Sequence, residues 1–445
     1  MRKSQHNIQD FKNRRNLLKS KLQGTALILH SNPEFIRNND VHHPYRQDTN
    51  LFYMTGFEEP ESIFIFRPGM TPETVLFVRP KDQERETWDG FRYGPAGAAA
   101  EFHIDQCYLT SEFHDKAVEL LKPVDKIYHQ WGIDSEFDKD VLELLQEIRL
   151  SHGRSGRGVL PVYDARELMG EARLKKTADE IVSVRKACDI SAEGHREVMR
   201  FAKAGVTENQ LQGVFLGTSM LLGAKREGYG TIVATGANAT TLHYVFNDQV
   251  CKDGDLLLID AGAEYNYYTG DITRDFPISG QFSPAHKAIY GGVLQVQKKI
   301  IDMVKPGLAF QKLQETCIEM LTDLMIELQL LRGNRAELIK NLDFKKYYMH
   351  GVSHYLGMDV HDAGLYFIGG EPRRIEQGFL FTVEPGLYIP ANDQSAPAAL
   401  RGIGVRIEDN ILVTEGGHEN LTVKAPKEIA DVEAMMAEEP KFFRA

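Results

Sequence analysis

Asp260 and Asp271 bracket a glycine- and tyrosine-rich segment that follows the strand-like run Leu256-Leu257-Leu258-Ile259. A tight turn centred on Tyr265-Asn266 would make this a β-hairpin with the two aspartates directly opposite each other, their Cβ atoms roughly 5 Å apart. Like charges so placed destabilise a hairpin, and a cation between them reverses the sign of that contribution. The pair therefore predicts half of a metal site, set against the plainer alternative of two solvated acids flanking a turn.

Three further candidate ligands follow. His354 lies in a segment, residues 349–362, whose glycines and β-branched valines disfavour a continuous helix. The spacing of His350 and His354 imitates a helical zinc pair, but Gly351 stands where that motif needs glutamate, which excludes it. Glu384 closes the apolar run Phe379-Leu380-Phe381-Thr382-Val383, and Pro385-Gly386 stops the strand there. In Gly404-Val405-Arg406-Ile407-Glu408, alternation sends Val405 and Ile407 to one face and Arg406 and Glu408 to the other.

The elements that must position these residues fall into two parts. A chain of 445 residues has material for two cores. Strands at Thr25 to Leu29, Ser62 to Phe66 and Thr74 to Val78 alternate with helical patterns such as Phe137 to Leu150, which predicts an α/β layer domain. The glycine- and arginine-rich stretch 151–158 breaks all periodicity and is expected to be a loop. Thr177 to Glu180 form a capping box ahead of apolar residues at helical spacing. The boundary is therefore placed at 172, giving units 1–172 and 173–445.

The second unit contains an internal echo. Lys203-Ala204-Gly205-Val206-Thr207 leads into a helix around Leu211 to Leu222, and Lys305-Pro306-Gly307-Leu308-Ala309 into another around Leu313 to Leu328. In both places a long helix precedes and strands follow, predicting a pseudo-symmetric domain with a site where its halves meet.

A net charge of −11 argues against nucleic acid and against an anionic membrane surface. Met1 to Arg15 is polar and basic without an apolar run behind it, and no stretch is long enough to span a bilayer, so a soluble protein without an export signal is expected. Four scattered cysteines fit reduced thiols in a cytoplasm.

These residues carry a resemblance. Pro44-Tyr45-Arg46-Gln47, Phe52-Tyr53-Met54-Thr55-Gly56-Phe57, Glu59-Pro60-Glu61, Leu242-His243-Tyr244, the 260–271 hairpin, His350-Gly351-Val352-Ser353-His354, Asp359-Val360-His361-Asp362, Thr382-Val383-Glu384-Pro385-Gly386 and Arg406-Ile407-Glu408-Asp409 resemble the creatinase, prolidase and methionine aminopeptidase superfamily. The match spans nearly the whole chain and is nearest to the bacterial Xaa-Pro aminopeptidases. It implies a creatinase-like α/β domain at residues 1–172 and a pita-bread catalytic domain at 173–445.

The resemblance also implies roles. Asp260, Asp271, His354, Glu384 and Glu408 would bind two divalent metals, with Asp271 and Glu408 bridging; four carboxylates and one imidazole suit manganese, the family expectation, with cobalt, zinc or iron as alternatives for the same ligands. Such a pair activates a shared water and polarises the scissile carbonyl. Glu384 would accept the water's proton. His361 and His243 would contact the carbonyl or its tetrahedral successor. His243, His350 and Arg406 would frame a proline subsite, with Tyr229 and Tyr388 near the amine and the metals.

Two departures are visible. Tyr355 stands where relatives often carry tryptophan, and residues 365–376 depart from the pattern, leaving Arg373 and Arg374 as alternatives near the entrance. Trp88, expected in a loop, resembles the family tryptophan that reaches a neighbouring subunit's active site, which implies a homo-oligomer, a dimer or a tetramer. The expected activity is release of the amino-terminal residue from peptides with proline second. The alternatives are an Xaa-Pro dipeptidase or an inactive binding protein of the same fold; a creatinase-like enzyme would lack the metal ligands.

Overall fold

The computed structural model describes residues 6–443; the first five residues of the polar amino-terminal stretch lie outside them. The chain divides into two compact units, one ending at Ala172 and the next beginning at Arg173. In the first, a six-stranded mixed sheet runs in the order Gln106–Leu109, Thr74–Val78, Ile63–Phe66, Thr25–His30, Lys126–His129 and Val162–Asp164. Thr25–His30, Ile63–Phe66 and Thr74–Val78 are buried at every position, as expected of strands covered on both faces. Phe137, Val141, Leu144, Leu145 and Ile148 of the helix Ser135–Ser151 pack into the same core as Ala26, Ile28, Ile65 and Phe77. Beyond Ser151 the segment to Gly158 has no regular structure.

Trp88 differs from expectation. It lies in the short helix Gln83–Asp89, not in a loop, because the Asp82 carboxylate caps the backbone N–H groups of Glu84 and Arg85, and acids in the first turn favour that helix end. Its side chain is 82% exposed, so it is not packed within its own unit either.

The second unit repeats its element order. Ala178–Phe201 starts at the Thr177 and Glu180 capping box and is followed by Glu208–Leu221; Pro284–Met303 is followed by Gln311–Glu327. Between the members of each pair, Gly205 and Gly307 take φ of 91° and 87°, a conformation open mainly to glycine. Strands then follow in both halves. Ile232–Thr235, Leu256–Ala261 and Ile272–Pro277 form one antiparallel sheet. In the second half Leu380–Val383 pairs with Asp409–Val413 and Gly386–Ile389 with Ile403–Arg406. A single core joins the halves, taking Phe215, Leu257 and Phe276 from one and Leu313, Phe381 and Val405 from the other.

Among the described residues no helix is long and apolar enough to cross a membrane. All four cysteines are free, and Cys188, Cys251 and Cys317 are buried.

Candidate metal centre

The hairpin forms with a register different from the one read off the sequence. Asn266 and Tyr267 take the positive φ values, 51° and 70°, and Tyr265 pairs with Tyr268. The turn therefore sits one residue later than expected, and Thr273, not Asp271, stands opposite Asp260. Asp271 is the diagonal neighbour on the same face, a separation of roughly 7–8 Å that still lets side chains converge. Gly262 belongs to this bend because a Cβ there would lie 1.7 Å from the Gly270 carbonyl oxygen.

Alternation does the rest. Leu257, Ile259 and Ala261 enter the main core, so Leu258 and Asp260 face the other way. Asp271 is fixed by Asn410, whose side chain accepts from the Asp271 N–H at 2.9 Å and donates to its carbonyl. Glu408 follows the strand Ile403–Arg406, donates its backbone N–H to Thr273 at 3.1 Å, and accepts from the Thr273 hydroxyl at 2.7 Å. His350 and His354 lie outside any helix, which rules out the helical zinc pair their spacing imitates. The His354 backbone N–H donates to Thr382 Oγ1 and the Glu384 N–H to the Val352 carbonyl, which brings both beside Asp271.

This cluster has more acceptors than donors. His354 Nδ1 is 3.0 Å from the Tyr355 carbonyl, so it donates there and turns Nε2 towards the carboxylates, where that nitrogen meets either a proton or a metal ion. That Nε2 is 3.4 Å from Asp271 Oδ2 and 3.4 Å from Glu384 Oε1. Tyr229 Oη stands 2.6 Å from Asp260 and 2.5 Å from Asp271 with one proton to give. Arg406 Nη2, at 2.7 Å from Asp260, is the cation within bonding distance. Ligand atoms of Asp271, His354 and Glu408 all lie within 4.8 Å of one another. Buried lone pairs facing lone pairs require protons or cations between them, and the oxygen-rich set with one imidazole fits divalent metal ions.

The electrostatics agree. Burial, reinforced by Asp271 and Asp260, raises the Glu384 carboxyl to about 7 against the pull of His354 and Arg406. Burial with Asp271, Glu384 and Asp260 raises Glu408 well above the carboxylate range. His354 moves up to about 9 because its hydrogen bond to Asp271 and the charge of Glu384 outweigh burial. In the metal-free protein these groups hold protons that the unfolded chain has released, so the native state binds more protons over this range. Their stabilisation is complete below the unfolded carboxylate pKa and is lost as pH rises through about 7 to 9. The melting temperature of the chelated protein is expected to fall between pH 5 and 8, and added divalent metal to reverse that slope. A flat or rising profile without metal would contradict it.

The carboxylates line a cavity of about 500 Å³ with Tyr229, His243, His350, His354, His361 and Arg406, walled by Ile232, Leu242, Val245 and Val360. His361 stands edge-on to His354, ring centroids 4.5 Å apart. His350 donates through Nδ1 to the Gly351 carbonyl and accepts at Nε2 from the Tyr388 hydroxyl at 2.8 Å; burial keeps it neutral, near 4. That same hydroxyl accepts from Arg406 at 3.0 Å.

Tyr388 is itself 1% exposed and outside the cavity lining, so it positions His350 and Arg406 where substrate contact was expected. Neither Arg373 nor Arg374 lines the cavity. Arg373 is buried over the Phe379 ring, and Arg374 donates to the Gly307 carbonyl. Tyr355 is fully buried and stacks on Tyr366. Thr273 and Asn410 were missed by sequence reasoning. A threonine in a strand looks like ordinary β propensity, and only the hairpin register reveals Thr273 between Asp260, Glu408 and Arg406.

An acceptor-rich cluster lining a cavity, in a domain of two halves with the same order of elements, fits a metal-dependent hydrolase. Residues 182–415 match the metallopeptidase family M24 and residues 11–128 the aminopeptidase P N-terminal domain. The chain belongs to metallopeptidase family M24. It is 38% identical to the Xaa-Pro aminopeptidase of Haemophilus influenzae over 96% of this chain and 97% of that one. Among solved structures, the Pseudomonas aeruginosa aminopeptidase PepP is 39% identical with a TM-score of 0.94, over 98% of this chain and 99% of that one. A zinc-substituted Escherichia coli aminopeptidase P in complex with product is 36% identical with a TM-score of 0.92, over 97% and 99%. The α/β domain followed by a pita-bread domain, expected from the sequence, is the fold of this chain.

Proposed function

We propose that the protein is an Xaa-Pro aminopeptidase, removing the amino-terminal residue from peptides with proline second. The observation that carries this reading is the convergence of Asp260, Asp271, His354, Glu384 and Glu408 beside the neutral His350 and the Arg406 guanidinium in one cavity. The five would hold two divalent ions, manganese by the resemblance, and such ions when bound acidify water and polarise a carbonyl. Glu384, held beside His354 with Oε1 3.4 Å from its Nε2, takes the proton of the attacking water as the C–O bond forms. It then returns that proton to the proline nitrogen as the C–N bond breaks. His361 and His243 offer ring N–H groups to the carbonyl oxygen as charge grows there.

Proline has no amide N–H, so it must be recognised by ring shape. His350 and Arg406, locked through Tyr388, together with the walls Leu242 and Val360, supply a stiff frame for it. We further infer a cytoplasmic homo-oligomer, a dimer or a tetramer, with the exposed Trp88 offered to a neighbouring subunit. The test is a matched peptide series. Xaa-Pro-Yaa should turn over with manganese, and Xaa-Ala-Yaa should fall by about a hundredfold in kcat/KM. Equal cleavage of both series would remove proline recognition, and turnover of dipeptides alone would make the enzyme a dipeptidase.

A further inference from the structure

The rim of the cavity carries an apolar ledge that the proposed chemistry leaves unused. Val245 is 69% exposed and Phe246 75% exposed, although Val245 also lines the cavity. A loop that merely frays would not hold such side chains in place, and this one is pinned at both ends of the ledge. On one side the Tyr244 hydroxyl donates to Glu208 Oε2 at 2.9 Å, and Glu208, fully buried, also accepts from the N–H of Thr235 and of Gln249. On the other, Asn247 takes a φ of 49°, donates to the Thr231 carbonyl at 2.8 Å and accepts from the Val233 N–H at 3.0 Å. The Phe246 ring rests against Tyr244, centroids 5.9 Å apart.

The anchors bury 244 and 247 and leave exposed both Val245, which lines the cavity, and Phe246, the next residue along. A buried carboxylate with several hydrogen bonds, used to present two exposed apolar side chains, indicates a surface made to be covered. On the reading of the enzyme as an Xaa-Pro aminopeptidase, the amino-terminal residue and the proline occupy the cavity. The rest of a longer peptide has to leave through its mouth. Val245 is continuous with both the cavity wall and the ledge, which ties the ledge to the departing chain.

We propose that Val245 and Phe246 form a subsite for the residue following proline, selecting apolar side chains there. The experiment compares Xaa-Pro-Leu and Xaa-Pro-Phe with Xaa-Pro-Ser and Xaa-Pro-Asp on the manganese-loaded full chain, with the dipeptide Xaa-Pro as internal control. The parent should favour the apolar third residue by about tenfold in kcat/KM, and Phe246→Ser should erase most of that preference, chiefly through KM. Dipeptide turnover and metal content should stay unchanged in the variant. Val245→Thr, which keeps the shape and removes apolar contact, should reduce the preference in part. An undiminished preference in both variants would overturn the proposal. So would a variant whose sedimentation shows a smaller assembly with selectivity intact, since the ledge would then be covered by a second copy of the chain. If instead the parent showed no preference for proline over alanine, the functional reading would fail on its own, whatever the third residue does.

Discussion

Asp271→Asn or Glu408→Gln is expected to lower kcat/KM by about a thousandfold or more and to empty the site of metal while the protein remains folded. Both carboxylates lie within the tight group shared with His354, and neutral amides there leave divalent ions under-compensated. Folding should survive because an amide oxygen can still accept from the Thr273 hydroxyl that now bonds Glu408. The metal-free Glu408→Gln variant should be at least as stable as the metal-free parent near neutral pH, since an amide is buried there without having to take up a proton. Elemental analysis beside calorimetry checks both halves. Retained turnover in a protein stripped of metal would sink the account.

Glu384→Gln is expected to lower kcat by about 10²- to 10⁴-fold, with KM changing far less. The Thr382 hydroxyl, 3.3 Å from Glu384 Oε1, can hold the amide in the carboxylate's place, so the variant loses its basicity more than its position. The acid limb of the pH–rate profile should disappear together with the rate. A variant retaining more than about a tenth of parental turnover would mean that another group moves the proton.

Much of this was legible because it rests on local chemistry. The Thr177 capping box, the glycines at 205 and 307, and the uninterrupted apolar strands of the first unit each announce one element by a short-range rule. The five candidate ligands were proposed together only through the family resemblance, since an acid beside a turn or strand end is by residue type alone most often a solvated one. Register was another matter. Placing Tyr267 in the left-handed region costs a tyrosine energy that nothing nearby signals, so the turn was put one residue early and Thr273 went unnoticed. Trp88 was misplaced for a different reason. Asp82 with Glu84 and Glu86 is a helix start, but a seven-residue helix gives too short an apolar pattern to see. The roles of Tyr388 and Asn410 depend on partners far away in sequence, and no local rule exposes them.

Asp260 and Asp271 come from the first of the two matching halves of the second unit, while His354, Glu384 and Glu408 come from the other. A divalent ion held by both sets would span the seam that the shared core already closes, adding its binding free energy to that joint. Removal of the ion is then expected to silence the enzyme and to lower the melting temperature of the second unit while its fold persists on the shared core.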